Sequence, residues 1–202
     1  MEKGIVLPVF YLGSIDYFSK IKDCESVIYL EQFEHYPKQT YRNRTSIYSP
    51  NGKLDLTIPV KKGANNHTLL KDVRISYDAD WQRLHWRTLQ TSYRRSSFFE
   101  FYEDDFVPFF EKRSEFLFDF NIGLFELCLK LLKLKSNIEF TTEYIKFPTN
   151  LTDLRAADLS SQSISEPFTS YYQIFEEKHN FIPNLSIVDL LFNQGPQSKQ
   201  YL

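Results

Sequence analysis

Two cysteines in 202 residues, Cys24 and Cys128, are too few for a disulfide framework, and neither sits in a CxxC pair, so redox and thiolate-metal readings have nothing to build on. Glycine is equally scarce. The six glycines, Gly4, Gly13, Gly52, Gly63, Gly123 and Gly195, are scattered, so neither a dinucleotide-binding fingerprint nor a P-loop can be written. GxSxG and HExxH are absent as well. The four histidines, His35, His67, His85 and His179, lie far apart in the chain and support no zinc site, so neither a metal nor a cofactor is expected. Positive charge is not in excess: the formal net charge is -2, and nucleic-acid or membrane binding would need a local patch. No run approaches the roughly 18 apolar residues of a membrane helix. The apolar run in "MEKGIVLPVFYLG" is too short for a secretory signal core. The expectation is a cytoplasmic protein with no membrane insertion.

What the chain does have is aromatic residues. With 19 Phe, 13 Tyr and 2 Trp they reach 17%, which predicts a ring-rich core and ring-lined clefts. The 42% hydrophobic and 25% charged residues are ordinary for a globular protein, and the length favours one domain over 1–202.

Ile5 to Phe10 reads as a strand interrupted by Pro8, and Ser14 caps a helix carrying Ile15, Tyr17, Phe18 and Ile21. "SVIYLEQF" is the next strand, so the chain opens β-α-β with a parallel pair. "TSIY" and "LDLTIPV" flank "SPNGK" as a hairpin, and "DVRISY" is a further alternating strand. A helix starts at Asp80. Asp105 caps another, with Pro108 in its first turn, and Asn121 caps "IGLFELCLKLLKLK". The acids of "EFYEDDF" read as a helix N-terminus. "IEFTTEYIKF" is a strand, 148–167 a mobile loop, and Ser186 caps a C-terminal helix over "IVDLLF". The fold class that follows is α/β or α+β, with a mixed sheet mainly from the N-terminal half and helices packed on it.

"EHYPKQTYRNR" concentrates cations that the rest of the chain does not favour. If "TYRNRTSIY" is extended, Arg42 and Arg44 share one face while Tyr41, Asn43 and Thr45 share the other. Two adjacent guanidiniums are relieved by a shared anion, and a phosphate accepts charge-assisted bonds of about 1.5–3 kcal/mol each. Lys38, with Lys61 and Lys62 from the next strand, would join that surface, edged by Tyr36 and Tyr41. The competing reading has Arg42 and Arg44 solvated or paired with acids such as Asp72 or Glu34. His85, one turn after Trp81, is either a hydrogen-bonded core residue or an acid–base group. Asp189 interrupts an apolar helix and is either salt-bridged, facing outward, or a buried acid that needs a cation.

The stretches "LPVFYLGSIDYF", "EHYPKQTYRNR", "LTIPVKKG", "DVRISYDADWQRLHW", "YRRSSFFEFYEDD", "FFEKRSEFLFDFN" and "FIPNLSIVDLLFNQGP", in this order, resemble the WbqC-like family. Leu7-Pro8 stands where many members have Gln-Pro. The resemblance implies work on activated sugars in surface-polysaccharide synthesis, such as transfer of an amino-acyl or acyl group to an amino sugar. It places Lys38, Arg42, Asn43, Arg44, His85, Tyr93 and Asp189 on positions typical of the family's motifs. The combined expectation is a transferase whose partner is a phosphorylated small molecule of the nucleotide-sugar class. Arg42, Arg44 and Lys38 would bind phosphate, Tyr36 and Tyr41 would stack on a base or sugar, and His85 or Asp189 would handle the proton. The alternatives are a non-catalytic module for a phosphorylated ligand or protein partner, and an RNA or tRNA binder.

Overall fold

A computed structural model describes residues 4–37, 40–61, 67–156 and 169–202. The chain opens with β1 (Gly4–Pro8), α1 (Ile15–Lys22) and β2 (Val27–Glu31). The local signals for α1 act as expected. Ser14 Oγ accepts the Tyr17 amide at 3.3 Å, Asp16 sits in the first turn, and Lys20 and Lys22 in the last. Ile15, Tyr17, Phe18 and Ile21 form its buried face.

β1 and β2 are parallel, with Ile5 opposite Ile28 and Leu7 opposite Leu30. They are joined by β5 (Asn137–Phe140) beside β2 and β6 (Leu151–Asp153) beside β1, both parallel, in the order β5-β2-β1-β6. All five residues of β1 are buried, as a central strand covered on both faces requires. Pro8 is tolerated because it is the last residue of that strand, and its carbonyl accepts the Tyr17 hydroxyl at 2.9 Å.

The α/β class holds, and the strands divide between two sheets. β3 (Arg44–Ser49) and β4 (Gly52–Thr57) form the expected hairpin as a separate antiparallel pair, with Ser49 opposite Gly52 and Pro50-Asn51 between them. "DVRISY" alternates as expected, with Val73 and Ile75 buried, but among the described residues it pairs only through the single bridges Val60 with Ile75 and Arg74 with Phe116. β6 lies inside the segment expected to be loop. Its three residues are too few and too polar to show a period, and it exists through pairing with Gly4–Val6. Residues 157–168 of that segment lie outside the described residues.

The helices α2 (Trp81–Tyr93), α3 (Phe99–Glu111), α4 (Leu117–Leu132), α5 (Glu176–His179) and α6 (Ile187–Gln194) complete the fold. Two expected starts are corrected. α3 begins six residues before Asp105, because Phe99, Phe106 and Phe110 supply one buried face; Pro108 falls near its end instead of its first turn. Asp104 and Pro108 are exposed, so the carbonyl that loses its partner faces water. Asn121 lies inside α4, fully buried, and its Nδ2 donates to the Arg42 carbonyl at 2.7 Å. One hydrophobic core runs from Ile5 to Phe192, with rings such as Phe99, Phe106 and Phe192 meeting edge to face.

α6 is stopped by Gly195, whose φ is +53° and where a Cβ would come within 2.4 Å of the Phe98 ring. Gly195→Ala therefore combines left-handed strain with overpacking, a loss of about 2–4 kcal/mol. The expected drop in Tm is roughly 5–15 °C, and a Tm within error of wild type would refute this account.

Candidate functional site

In the order in which they occur along the chain, the four parallel strands lie 3-2-1-4, so the connections reverse direction between β1 and β6. Open α/β sheets bind ligands outside the carboxyl ends of their strands at such a switch point. Here that edge is built from Phe10 after β1, Glu31 to Tyr36 at the end of β2, and Asp153 to Arg155 at the end of β6. The segment before β3 closes on them through the Tyr11 amide, which donates to the Tyr41 carbonyl at 3.0 Å.

Five charges meet at this edge. Arg42 donates from Nε to Glu34 Oε1 at 2.6 Å and from Nη2 to Glu34 Oε2 at 2.7 Å, and Nη2 also reaches the Arg155 carbonyl at 3.3 Å. Arg155 donates from Nη1 to Glu31 Oε2 at 2.8 Å, and from Nε and Nη2 to the two Asp153 oxygens at 2.9 and 2.7 Å. Its remaining bond goes to the Ile145 carbonyl, and the guanidinium lies 4.6 Å from the Tyr144 ring centre. Glu31 is fully buried; among these carboxylates only Asp153 is substantially open, with 34% of its side chain exposed. Burial pushes the Glu34 carboxyl up, opposed by the two bonds from Arg42. Arg155 holds Asp153 below the usual carboxylate range, while Asp153 in turn raises Arg155. Three carboxylates against two guanidiniums leave this cluster one negative charge in excess.

The shared arginine face is corrected. Tyr41 to Asn43 form a turn, closed by the Asn43 amide on the Thr40 carbonyl at 3.1 Å, and the extended chain starts only at Arg44. Arg42 is thereby committed to Glu34. The Nε of Arg44 is buried with no hydrogen-bond partner among the described residues. Both guanidiniums act on Tyr36, whose phenol burial pushes up to about 12 against their opposing charge. Tyr41 is half-buried, its ring 6.1 Å from Phe10. Asn43 Nδ2 donates to the Ile58 carbonyl at 2.9 Å, and Lys61 is exposed. Lys38 and Lys62 lie outside the described residues.

His85, Tyr93 and Asp189 lie in the core, apart from this edge. His85 Nδ1 is 3.0 Å from the Tyr11 hydroxyl, with Trp81 edge-on and the Thr57 carbonyl as a further partner. Burial lowers its imidazole to about 4, so it is neutral at pH 7. Asp189 is fully buried, with no cation paired to it among the described residues. Its Oδ1 accepts from Tyr93 at 2.8 Å, and its Oδ2 from Tyr171 at 2.6 Å and from Gln173 Nε2 at 3.0 Å. Tyr93 in turn accepts the Tyr48 amide, and Gln173 bonds both the carbonyl and the amide of Ile182. Burial pushes the Asp189 carboxyl up to about 6, the three donors opposing.

The WbqC-like protein family model matches residues 10–166 and 142–201. The chain belongs to the WbqC-like protein family. It is 24% identical, over 231 aligned positions, to the uncharacterized protein Rv1507c of Mycobacterium tuberculosis (strain ATCC 25618 / H37Rv), covering 100% of this chain and 98% of that one. No solved structure matches. No described helix of this WbqC-like protein is long and apolar enough to cross a membrane.

Glu31, Asp153 and Arg155 were not singled out in the sequence. Glu31 ends an apolar strand and Arg155 sits in a polar stretch 124 residues later, and only strand pairing brings them within 2.8 Å. A faint signal existed in "VIYLE", where an acid occupies a strand that is otherwise apolar.

Two predictions follow from these buried charges in the WbqC-like chain. Glu34→Ala leaves Arg42 buried and unpaired, with an expected loss of about 3–5 kcal/mol by denaturant unfolding. Adding Arg42→Met should recover much of it, and a double variant no better than Glu34→Ala would contradict the pairing. The Asp189 carboxyl holds its proton more tightly folded than unfolded, so its contribution is full below about pH 4 and is lost as pH rises through about 6. The loss is on the order of 3 kcal/mol. His85 has the opposite sign, its contribution being lost as pH falls from about 6.5 through about 4. A difference measurement separates them. Asp189→Asn turns one acceptor into a donor facing Tyr93 or Tyr171, so it is least stable relative to wild type near pH 4, and the gap narrows by about 3 kcal/mol toward pH 7.5. A gap independent of pH would exclude this.

Proposed function

We propose that this protein binds a phosphorylated small molecule of the nucleotide-activated sugar class at the carboxyl edge of its parallel sheet, and acts there as a transferase of an acyl or amino-acyl group to an amino sugar. The observation that carries the reading is Arg44, a half-buried guanidinium whose charge acts on Tyr36 and whose Nε has no partner among the described residues. The Nε itself is closed to solvent, so an anionic oxygen would reach this guanidinium through its Nη atoms, each charge-assisted bond being worth about 1.5–3 kcal/mol. Arg44 is the phosphate ligand in this scheme, with Lys38, Lys61 and Lys62 adding positive charge. Tyr36 and Tyr41 stack on the base or sugar, and Asp153, kept ionised by Arg155, accepts bonds from sugar hydroxyls. Arg42 is held by Glu34 and serves to shape the edge.

One observation favours a second reading, binding without chemistry. His85 and Asp189 are enclosed in the core with their polar atoms engaged, so neither is open to a ligand. An RNA-binding role is disfavoured by the negative excess at the edge and the net charge of -2.

A thermal-shift screen of nucleotide sugars, coenzyme A esters, inorganic phosphate and tRNA tests the reading. A ligand at 100 times its Kd stabilises by about 2.7 kcal/mol, a rise of roughly 5–10 °C. Arg44→Ala should weaken binding at least tenfold. If no phosphorylated ligand shifts wild type, or the variant responds equally, the site assignment fails. Binding without product from an amino-sugar acceptor and an activated acyl donor selects the non-catalytic reading.

A further inference from the structure

His35 and His67 stand 32 residues apart in sequence but face each other on the surface. The backbone explains why. Residues 32–36 and 67–71 form a short antiparallel ladder. In it the Tyr36 amide donates to the Thr68 carbonyl at 2.9 Å, Leu70 to Glu34 at 2.9 Å, and Lys71 to Gln32 at 3.1 Å. His35 bridges Leu69, so His67 is its diagonal cross-strand neighbour.

The rings meet at 69° with centroids 5.1 Å apart, and the two Nδ1 atoms are 3.4 Å apart. That is loose for a hydrogen bond between ring nitrogens, which settles near 2.9–3.0 Å. It is close to the separation of two nitrogens bound to one ion: with metal–nitrogen bonds of about 2.0–2.1 Å, they lie about 3.3–3.4 Å apart at a tetrahedral ion and about 2.8–3.0 Å apart at neighbouring positions of a square-planar or octahedral one. We propose that His35 and His67 form a two-histidine binding site for a late first-row divalent cation such as Zn2+ or Ni2+.

Imidazole donors select such ions over Mg2+ and Ca2+, which demand oxygen. No group of three or more His, Cys, Asp or Glu placed to hold a metal occurs among the described residues, so water completes the coordination. Both side chains are exposed, which leaves those positions open to solvent. Binding through both Nδ1 atoms requires each ring to carry its proton on Nε2. A ring that carries its proton on Nδ1 in the metal-free protein shifts it to Nε2 by exchange with solvent, with none lost overall. The ion ties the two strands of the ladder together one residue from Glu34, and so stiffens the segment that holds Arg42.

The site stands independently of the phosphorylated-ligand reading, because its test uses the metal alone. Ni2+, Zn2+ and Mg2+ are titrated calorimetrically into the untagged, metal-free full chain and into His35→Ala and His67→Ala. One Ni2+ or Zn2+ per wild-type chain is expected, with at least tenfold weaker binding in each variant and no heat with Mg2+. Because both residues are exposed, the metal-free variants should melt within a few degrees of wild type, which separates ligation from unfolding. Wild-type affinity in either variant, Mg2+ binding as tight as Ni2+, or no binding at millimolar metal would each overturn the assignment.

Discussion

A guanidinium buried with its carboxylate sets the terms for the whole carboxyl edge of the sheet. Arg42 and Glu34 are each nearly removed from water, and such a pair tolerates neither partner's departure, since an uncompensated charge at this depth costs several kcal/mol. The pair therefore fixes where the chain leaving β2 must meet the turn before β3. Arg155 extends the constraint to β6, binding Glu31 and Asp153 while its carbonyl accepts from Arg42. Three segments distant in sequence are locked together by charges that could not be satisfied separately. Asn121 adds α4 by donating to the Arg42 carbonyl.

The same logic, with neutral donors in place of a countercharge, holds the other end of the core. Asp189 occupies the middle of an apolar helix, and two tyrosines and a glutamine satisfy it from three directions. A core this rich in rings can afford a buried carboxylate because its phenols bring donors with them. His85 is accommodated likewise: the neutral imidazole donates its one N–H to the Thr57 carbonyl, which can only accept, and its Nδ1 accepts from the Tyr11 hydroxyl. Three of the tyrosines involved, Tyr11, Tyr93 and Tyr171, are thus both packing and wiring, which accounts for tyrosine where phenylalanine would fill the same space.

Legibility in the sequence followed the range of the forces. α1, the β1-α1-β2 opening, the hairpin and the limits of α6 were readable because caps, turn residues and apolar periods act within a few residues. Ser186 shows that position and mechanism separate: it precedes α6 as expected, yet its hydroxyl donates to the Leu12 carbonyl instead of capping the helix. Asp105 and Asn121 misled because cap-type residues also occur inside helices, where burial against Arg42 or an aromatic face decides their place. β6 was invisible since three polar-flanked residues carry no period of their own. At the candidate site, Arg42, Arg44 and Tyr36 were visible as composition, but their division of labour depended on a turn at 41–43 that interrupts the two-residue alternation. Glu31 and Arg155 became meaningful only once parallel pairing joined them.

That division of labour bears on how the edge can recognise anything. A guanidinium neutralised by a bidentate carboxylate contributes shape and fixed dipoles, while its net charge is already cancelled. With the five-membered cluster carrying a negative excess, an anion placed there is attracted only by cations outside it. Arg44, one residue beyond the turn, is such a cation, and the cluster acts on it by holding the backbone on which it is mounted. In the proposed binding mode, selectivity at this edge would arise from the contrast between a slightly acidic wall and Arg44, whose Nε has no partner among the described residues. On the proposed reading, such an arrangement suits a ligand with a single anionic group beside neutral hydroxyls, as in a sugar phosphate, better than a polyanion such as a nucleic-acid backbone.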